Sequence, residues 1–276
     1  MKTRCLRMVA AFLAIVAAGG AQGVQEWAKK AIAQSPRHQE WIDVTHDGRT
    51  VHCFVVYPEV SGKVPAVLLI HEIFGLTDWA KEMTDEVAAA GYVAIMPDLL
   101  SGEGPNGGGT EAFDPNDVPR VTYAVSHLPA DQVMADLDAA ADYVVKQPAC
   151  DGRTFVAGFC WGGGKSFAYA THRRKLLSAF VFYGPPPPAA AMANIACPVY
   201  GFYAGNDARI SLTVPDTKIQ MAAAGKKYQA VIYPGAGHGF MRAGDAANPD
   251  ASAANRAARN AAWQRLVIAL SNESAQ

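Results

Sequence analysis

Apolar residues in this chain come in two rhythms. Short runs over Ala66 to Ile70, Tyr92 to Met96, Thr154 to Ala157, Leu177 to Tyr183, Cys197 to Tyr203 and Tyr228 to Tyr233 have the length and composition of strands. Stretches with helical spacing lie between them. One runs from an Asp78 cap to Gly91, where a glycine suits a C-terminal stop. Another covers about Asp131 to Lys146, with Val133, Leu137, Ala140, Ala141 and Val144 on one face. Further helices are expected from Gly164, over Pro215 to Ala224 and over Ala253 to Leu270. Upstream, Trp41 to Pro58 reads as a hairpin turning at Asp47-Gly48. Alternating strands and helices predict an α/β fold, a mostly parallel central sheet flanked by helices on both faces. Ser101 to Pro119, rich in Gly, Pro and Asn, reads as a long surface excursion of the kind that often shapes a binding site.

The first residues follow a different pattern. Lys2, Arg4 and Arg7 precede an apolar run from Met8 to Ala18, and small residues follow to Gly23. Positive flank, short apolar stretch and small-residue exit are the parts of a secretory signal peptide, with cleavage expected after Ala21 or Gly23. Residues 1–23 are therefore expected to direct export to a periplasmic or secreted location. Residues 24–276 are expected to form one domain, those up to about Gln39 being a helical lead-in. No membrane association is expected once the signal is cleaved.

Composition narrows the function classes. Half of the 276 residues are hydrophobic, 18% are charged and the formal net charge is -1. That balance gives no electrostatic reason to expect nucleic acid as a partner. Removing the signal leaves Cys53, Cys150, Cys160 and Cys197. Four cysteines in an exported protein are compatible with two disulfides, but their spacing matches no zinc pattern, and one is better explained as a reactive thiol.

That thiol is Cys160. Gly158-Phe159-Cys160-Trp161-Gly162 has the form G-x-nucleophile-x-G, straight after an apolar strand and straight before a helix. The glycines allow a strained, crowded turn, and the helix N-terminus favours thiolate. A nucleophile needs a base and the base an orienting acid, in the order nucleophile, acid, histidine in this fold. Asp207 and His238 each follow a predicted strand in that order, so both would emerge at the sheet edge where Cys160 emerges. His71-Glu72-Ile73-Phe74-Gly75 closes the first buried strand, where the fold supplies one oxyanion N–H; Ile73 and Trp161 are the expected donors. The remaining histidines have no comparable placement.

Together, H-E-I-F-G (71–75), G-F-C-W-G-G-G (158–164), G-N-D (205–207) and G-A-G-H-G-F (235–240) resemble the dienelactone hydrolase family, over about Val51 to Leu270. The resemblance implies an α/β-hydrolase fold, a Cys160–His238–Asp207 triad, and a Glu72 that contacts the resting thiol and helps take its proton. It also implies hydrolysis of a carboxylic ester or lactone, with substrate-carboxylate recognition by Arg242, four residues after the histidine. The family's second arginine and its tyrosine have Arg120 and Tyr123 as their nearest candidates, spaced by three rather than four. No metal or organic cofactor is implied. A monomer acting on a small ester or lactone, anionic or neutral, is expected. The rival readings are an exported esterase for neutral substrates and a non-catalytic binding protein on a hydrolase scaffold.

Overall fold

The computed structural model describes residues 25–275. The expected signal peptide lies outside the described residues. Helix α1 (Glu26–Ala33) leads into a hairpin of β1 (Gln39–His46) and β2 (Arg49–Val56), followed by β3 (Val64–Ile70). Asp47 and Gly48 both take positive φ, 47° and 78°, as the tight Asp-Gly hairpin turn requires. Then come α2 (Asp78–Ala89), β4 (Val93–Pro97), α3 (Val118–Ser126), α4 (Ala130–Val144), β5 (Cys150–Phe159) and α5 (Trp161–His172). The remainder is β6 (Ala179–Phe182), α6 (Ala189–Met192), β7 (Val199–Ala204), α7 (Ala208–Ser211), α8 (Val214–Ala223), β8 (Tyr228–Tyr233), α9 (Phe240–Ala243) and α10 (Ala253–Ser274).

The eight strands form one sheet in the order β1-β2-β4-β3-β5-β6-β7-β8. β2 runs antiparallel to both its neighbours; β4 through β8 pair in parallel. Alternation along each strand divides the core in two. In β3, Ala66, Leu68 and Ile70 face the layer that contains α4, α5 and α8, while Val67 and Leu69 face α2 and α10. In β6, Ala179 and Val181 take the first side and Phe180 and Phe182 the second. A strand covered on both faces has no polar side to show, which is why these segments read as unbroken apolar runs.

Connectivity decides where a site can form. After β3 the chain adds β4 on one side, then crosses to place β5 on the other. The connections leave β3 and β5 in opposite directions, so a crevice opens beyond their C-terminal ends. Ile70 and Gly158 are in register there, which brings residues 71–76 alongside Cys160.

Three local expectations are corrected. The cap of α2 is Thr77, whose hydroxyl accepts the Ala80 N–H, not Asp78. Helix α5 begins at Trp161 rather than Gly164. The excursion expected up to Pro119 is structured: it holds two short 3-10 turns and ends in α3, capped by Asp117 with a proline in its first turn. Among the described residues no helix is long and apolar enough to cross a membrane.

Candidate active site

Cys160 stands between β5 and α5 with φ 58° and ψ −116°, a conformation that side-chain-bearing residues seldom adopt. The surroundings hold it. Its N–H donates to Phe182 O at 3.0 Å, and its carbonyl accepts the Gly164 N–H at 3.2 Å. The glycines on either side permit the crowding: a Cβ on Gly158 would lie 2.0 Å from Gly162 O, and one on Gly162 would lie 2.3 Å from His71 O. Strain of this kind, held by packing, presents the Cys160 side chain at the positive end of α5.

Asp207 follows β7 and His238 follows β8, and the two loops are tied together. Asn206 N–H donates to Ala236 O at 2.9 Å, Asn206 Nδ2 to Gly235 O at 3.1 Å, and Gly205 N–H to Tyr233 O at 2.8 Å. From α10, Asn255 Oδ1 accepts the Gly237 N–H at 2.9 Å. The three side chains therefore line up: His238 Nε2 is 3.0 Å from Cys160 Sγ, and His238 Nδ1 is 2.5 Å from Asp207 Oδ2. Burial disfavours the imidazolium, but the hydrogen bonds and charges of Asp207 and Cys160 outweigh it and raise His238 to about 10.

Among the described residues neither of the two expected oxyanion donors, the Trp161 and Ile73 N–H groups, has a hydrogen-bond acceptor. Trp161 opens α5, so its N–H belongs to the first turn that a helix leaves unpaired. No hydrogen bond from Ile73 N–H is found among the described residues either. The loop that carries Ile73 is braced by His71, fully buried. His71 Nε2 accepts the Leu99 N–H at 3.3 Å, so Nδ1 carries the proton and donates to Glu72 O at 2.7 Å. Burial pushes its pKa down, consistent with a neutral ring, and the ring stacks on Trp161 with centroids 5.7 Å apart. Sequence reasoning passed over His71 because its partners are main-chain groups that no motif displays.

Glu72 and Arg242 occupy the same cleft but face each other. Arg242 Nε donates to Glu72 Oε2 at 2.7 Å, and the guanidinium lies 5.4 Å from the Phe74 ring centre. The other Glu72 oxygen accepts from Tyr183 OH at 3.3 Å. Among the described residues the hydrogen bond to Sγ comes from His238, and none joins Glu72 to Sγ. Tyr183, also missed from sequence, is fully buried with φ 40° and meets the His238 ring edge-on at 5.1 Å. Its place at the C-terminal end of β6 was the available signal.

Arg120 and Tyr123 are not brought to this cluster. Both are exposed on α3; Arg120 lies over the Phe113 ring and Tyr123 stacks on His127 at 3.8 Å. Between α3, the 3-10 turns and the 71–76 loop is a hollow of about 220 Å³, walled in part by Phe74, Leu76, Thr110, Phe113, Val118 and Val121. The long excursion thus does shape a recess, beside Phe74.

Among the described residues, one set of three carboxylate, His or Cys side chains has ligand atoms within 4.8 Å of one another: Glu82, Glu86 and Asp245. Arg259 already bonds Glu86 and Asp245 there, so the set has its own cation. No cysteine is in a disulfide among the described residues; Cys53, Cys150 and Cys197 are free and buried.

Comparison with known proteins agrees with this architecture. The sequence model of the dienelactone hydrolase family matches residues 51–274. A Salmonella typhi protein named "Putative carboxymethylenebutenolidase" is 31% identical over 240 residues, covering 81% of this chain and 83% of its own. A Klebsiella pneumoniae crystal structure titled "Putative Dienelactone Hydrolase" superposes with a TM-score of 0.72 at 27% identity, over 85% of this chain and 98% of the other. A dienelactone hydrolase structure from Anabaena variabilis, 18% identical, shares the fold with a TM-score of 0.61 over 83% and 97% of the two chains.

Proposed function

The chain belongs to the dienelactone hydrolase family, and on that premise we propose that it hydrolyses a carboxylic ester or lactone, with Cys160 as nucleophile, His238 as acid and base, and Asp207 as its orienter. The reading is carried by one observation: Sγ, the imidazole and the Asp207 carboxylate in a continuous line, at 3.0 Å and 2.5 Å. An imidazolium beside Sγ supplies the counter-charge that a thiolate nucleophile needs.

In this mechanism Sγ adds to the substrate carbonyl carbon, and the carbonyl oxygen becomes an oxyanion facing the Ile73 and Trp161 N–H groups. Each donor of this kind contributes ~3–4 kcal/mol in well-studied hydrolases. As the tetrahedral intermediate collapses, the carbon–oxygen bond to the leaving group breaks and His238 gives that oxygen its proton. A water then attacks the thioester, His238 takes the water's proton, and the acid is released with Sγ regenerated. For a lactone both products remain one molecule. Asp207 keeps the Nδ1 proton in place throughout.

Glu72 and Arg242 give the site a resting balance of charge. A substrate carboxylate that pairs with Arg242 would free Glu72, one residue from the oxyanion donor Ile73 and able to accept a proton. Export by way of residues 1–23, and action as a monomer, are proposed with this activity.

The test is alkylation of Cys160 by iodoacetamide alongside turnover of a panel of p-nitrophenyl esters and lactones, including cis- and trans-dienelactone. Labelling at Cys160 should remove activity in proportion. Full activity in Cys160→Ala would end the proposal.

A further inference from the structure

The stretch from His71 to Leu76 carries Ile73, and one neighbouring segment pins it on both sides of that residue. On the near side, His71 Nε2 accepts the Leu99 N–H at 3.3 Å and Nδ1 donates to Glu72 O at 2.7 Å. On the far side, Thr110 Oγ1 accepts the Leu76 N–H at 3.0 Å. The same hydroxyl donates to Asp98 Oδ1 at 2.7 Å, and the Thr110 N–H donates to Asp98 Oδ2 at 2.7 Å. Asp98 and Leu99 are consecutive and follow β4 directly. Asp98 is buried and tied to the sheet: its N–H donates to His52 O at 2.8 Å, and its carbonyl accepts the Ser101 hydroxyl at 2.6 Å. Both pins thus lead back to the sheet through one short piece of chain.

Hydroxyl chemistry gives the far pin its direction. A threonine hydroxyl has a single proton to donate. Asp98 takes that proton, which leaves the oxygen lone pairs for the Leu76 N–H. Thr110 comes this close to the backbone because residue 75 is glycine: a Cβ there would lie 2.3 Å from Thr110 Oγ1. Between the pins the chain makes a tight turn, in which the Gly75 N–H donates to Glu72 O at 3.2 Å and Gly75 takes φ 76°. Ile73 and Phe74 are the two residues inside that turn. Where the Ile73 N–H points is therefore decided by how Glu72 and Gly75 are held. An oxyanion donor is effective when it is fixed before the reaction starts, so the fastening matters as much as the donor.

We propose that Thr110 is a positioning residue for the hydrolytic reaction: oriented by Asp98, its hydroxyl holds the 72–76 turn so that the Ile73 N–H meets the developing oxyanion. This rests on the hydrolytic reading above and adds to it a residue that acts through Leu76 and Gly75. The competing role is structural, with Thr110 serving only to fasten the excursion after β4 to the body of the protein. The two roles differ in which reactions of Cys160 they affect. Attack of Sγ on a carbonyl carbon creates an oxyanion. Attack on the methylene of iodoacetamide forms a carbon–sulfur bond and expels iodide, with no oxyanion at any stage.

The experiment compares wild-type protein with Thr110→Val, which keeps the shape and removes the hydroxyl, and Thr110→Ser, which keeps the hydroxyl. Thr110→Ala repeats the deletion with a smaller side chain. For each, kcat and KM are measured with p-nitrophenyl acetate, and the rate of Cys160 alkylation is measured with iodoacetamide. Calorimetry gives the Kd of phenyl trifluoromethyl ketone, whose carbonyl accepts Sγ and leaves an oxyanion facing the Ile73 and Trp161 N–H groups. Removing an oxyanion donor outright costs about 10²–10³ in kcat, and a donor that is displaced should cost about 10–100-fold. In Thr110→Val and Thr110→Ala, kcat should fall by that factor with KM little changed. The Kd of the ketone should rise in step, while alkylation keeps its wild-type rate and Thr110→Ser recovers most of the loss. Unchanged kcat and ketone affinity, or alkylation slowed as much as kcat, would overturn the proposal. Ketone binding weakened by Thr110→Val in a protein that turns over no ester would uphold the positioning role and overturn the hydrolytic reading instead.

Discussion

Arg242 and Glu72 are 170 positions apart in sequence and 2.7 Å apart in the cleft, with their side chains only 15% and 4% exposed. A pair so buried is far costlier to halve than to replace, because the remaining partner keeps its charge and loses its compensation. It therefore holds α9 against the 71–76 loop as well as setting the charge of the site.

Arg242→Met should lower stability by ~3–5 kcal/mol, since Tyr183 alone would be left to serve the Glu72 carboxylate. Glu72→Gln combined with Arg242→Met should recover much of that loss. Urea unfolding of the two single variants and the double variant measures the coupling directly. Additive losses would mean that the two groups act independently.

Iodoacetamide should modify one of the four cysteines described in the structure. Burial, reinforced by the Asp136, Asp98 and Asp43 charges, pushes the Cys53 thiol up; burial also raises Cys150 and pushes Cys197 up to about 12. Cys160 is partly exposed and hydrogen-bonded to a ring nitrogen that burial alone does not keep neutral. Peptide mass spectrometry after brief alkylation of the folded protein at pH 7 should find the adduct on Cys160 and at most traces on the other three.

The division between what sequence disclosed and what it hid follows the range of the interactions. The sheet was legible because strands buried on both faces must be apolar throughout. The positions of Cys160, Asp207 and His238 were legible because each lies in the short segment after the C-terminal end of a strand. The start of α5 was hidden by Gly162-Gly163-Gly164, poor helix formers kept where backbone approaches backbone: Gly163 packs on Phe182 O and Gly184. Helix α3 was hidden by Pro119, although an Asp117 cap before a first-turn proline is itself a start signal and Val121 and Val125 repeat at helical spacing. The Glu72–Arg242–Tyr183 network had no local signature, since its members meet only after the sheet has formed.

Asp207→Asn should change both catalysis and the pH dependence of stability. With Asp207 and Cys160 as partners, the folded-state pKa of His238 is about 10, against an ordinary value of 6.5. A raised pKa adds stability that is fully present below 6.5 and is lost as pH climbs through 10. In Asp207→Asn much of that contribution disappears, so Tm measured from pH 6 to 10.5 should fall less steeply than in wild type. kcat should drop by about 10²–10⁴ as the Nδ1 proton loses its acceptor. Parallel Tm curves would show that Asp207 does not hold the proton.

Glu82 allows the same argument for a carboxylic acid, with a stability effect remote from the nucleophile. It lies on α2 one turn before Glu86, and both face Asp245 with Arg259 among them. Arg259 bonds Glu86 and Asp245, while Glu82 Oε2 is buried without a partner. Burial first, then the charges of Glu86 and Asp245, raise Glu82 to about 9 from an ordinary 4.5, with Arg259 only partly offsetting them. The folded protein thus retains a proton on Glu82 that the unfolded chain gives up above pH 4.5. Stability from this group is greatest below 4.5 and is lost progressively as pH rises to about 9. Glu82→Gln keeps the shape of the protonated acid and removes the titration. Its Tm should equal or fall below that of wild type at pH 5 and exceed it by at least about 3 °C at pH 9. A Tm difference that stays constant from pH 5 to 9 would mean that Glu82 is ionised throughout and balanced by Arg259.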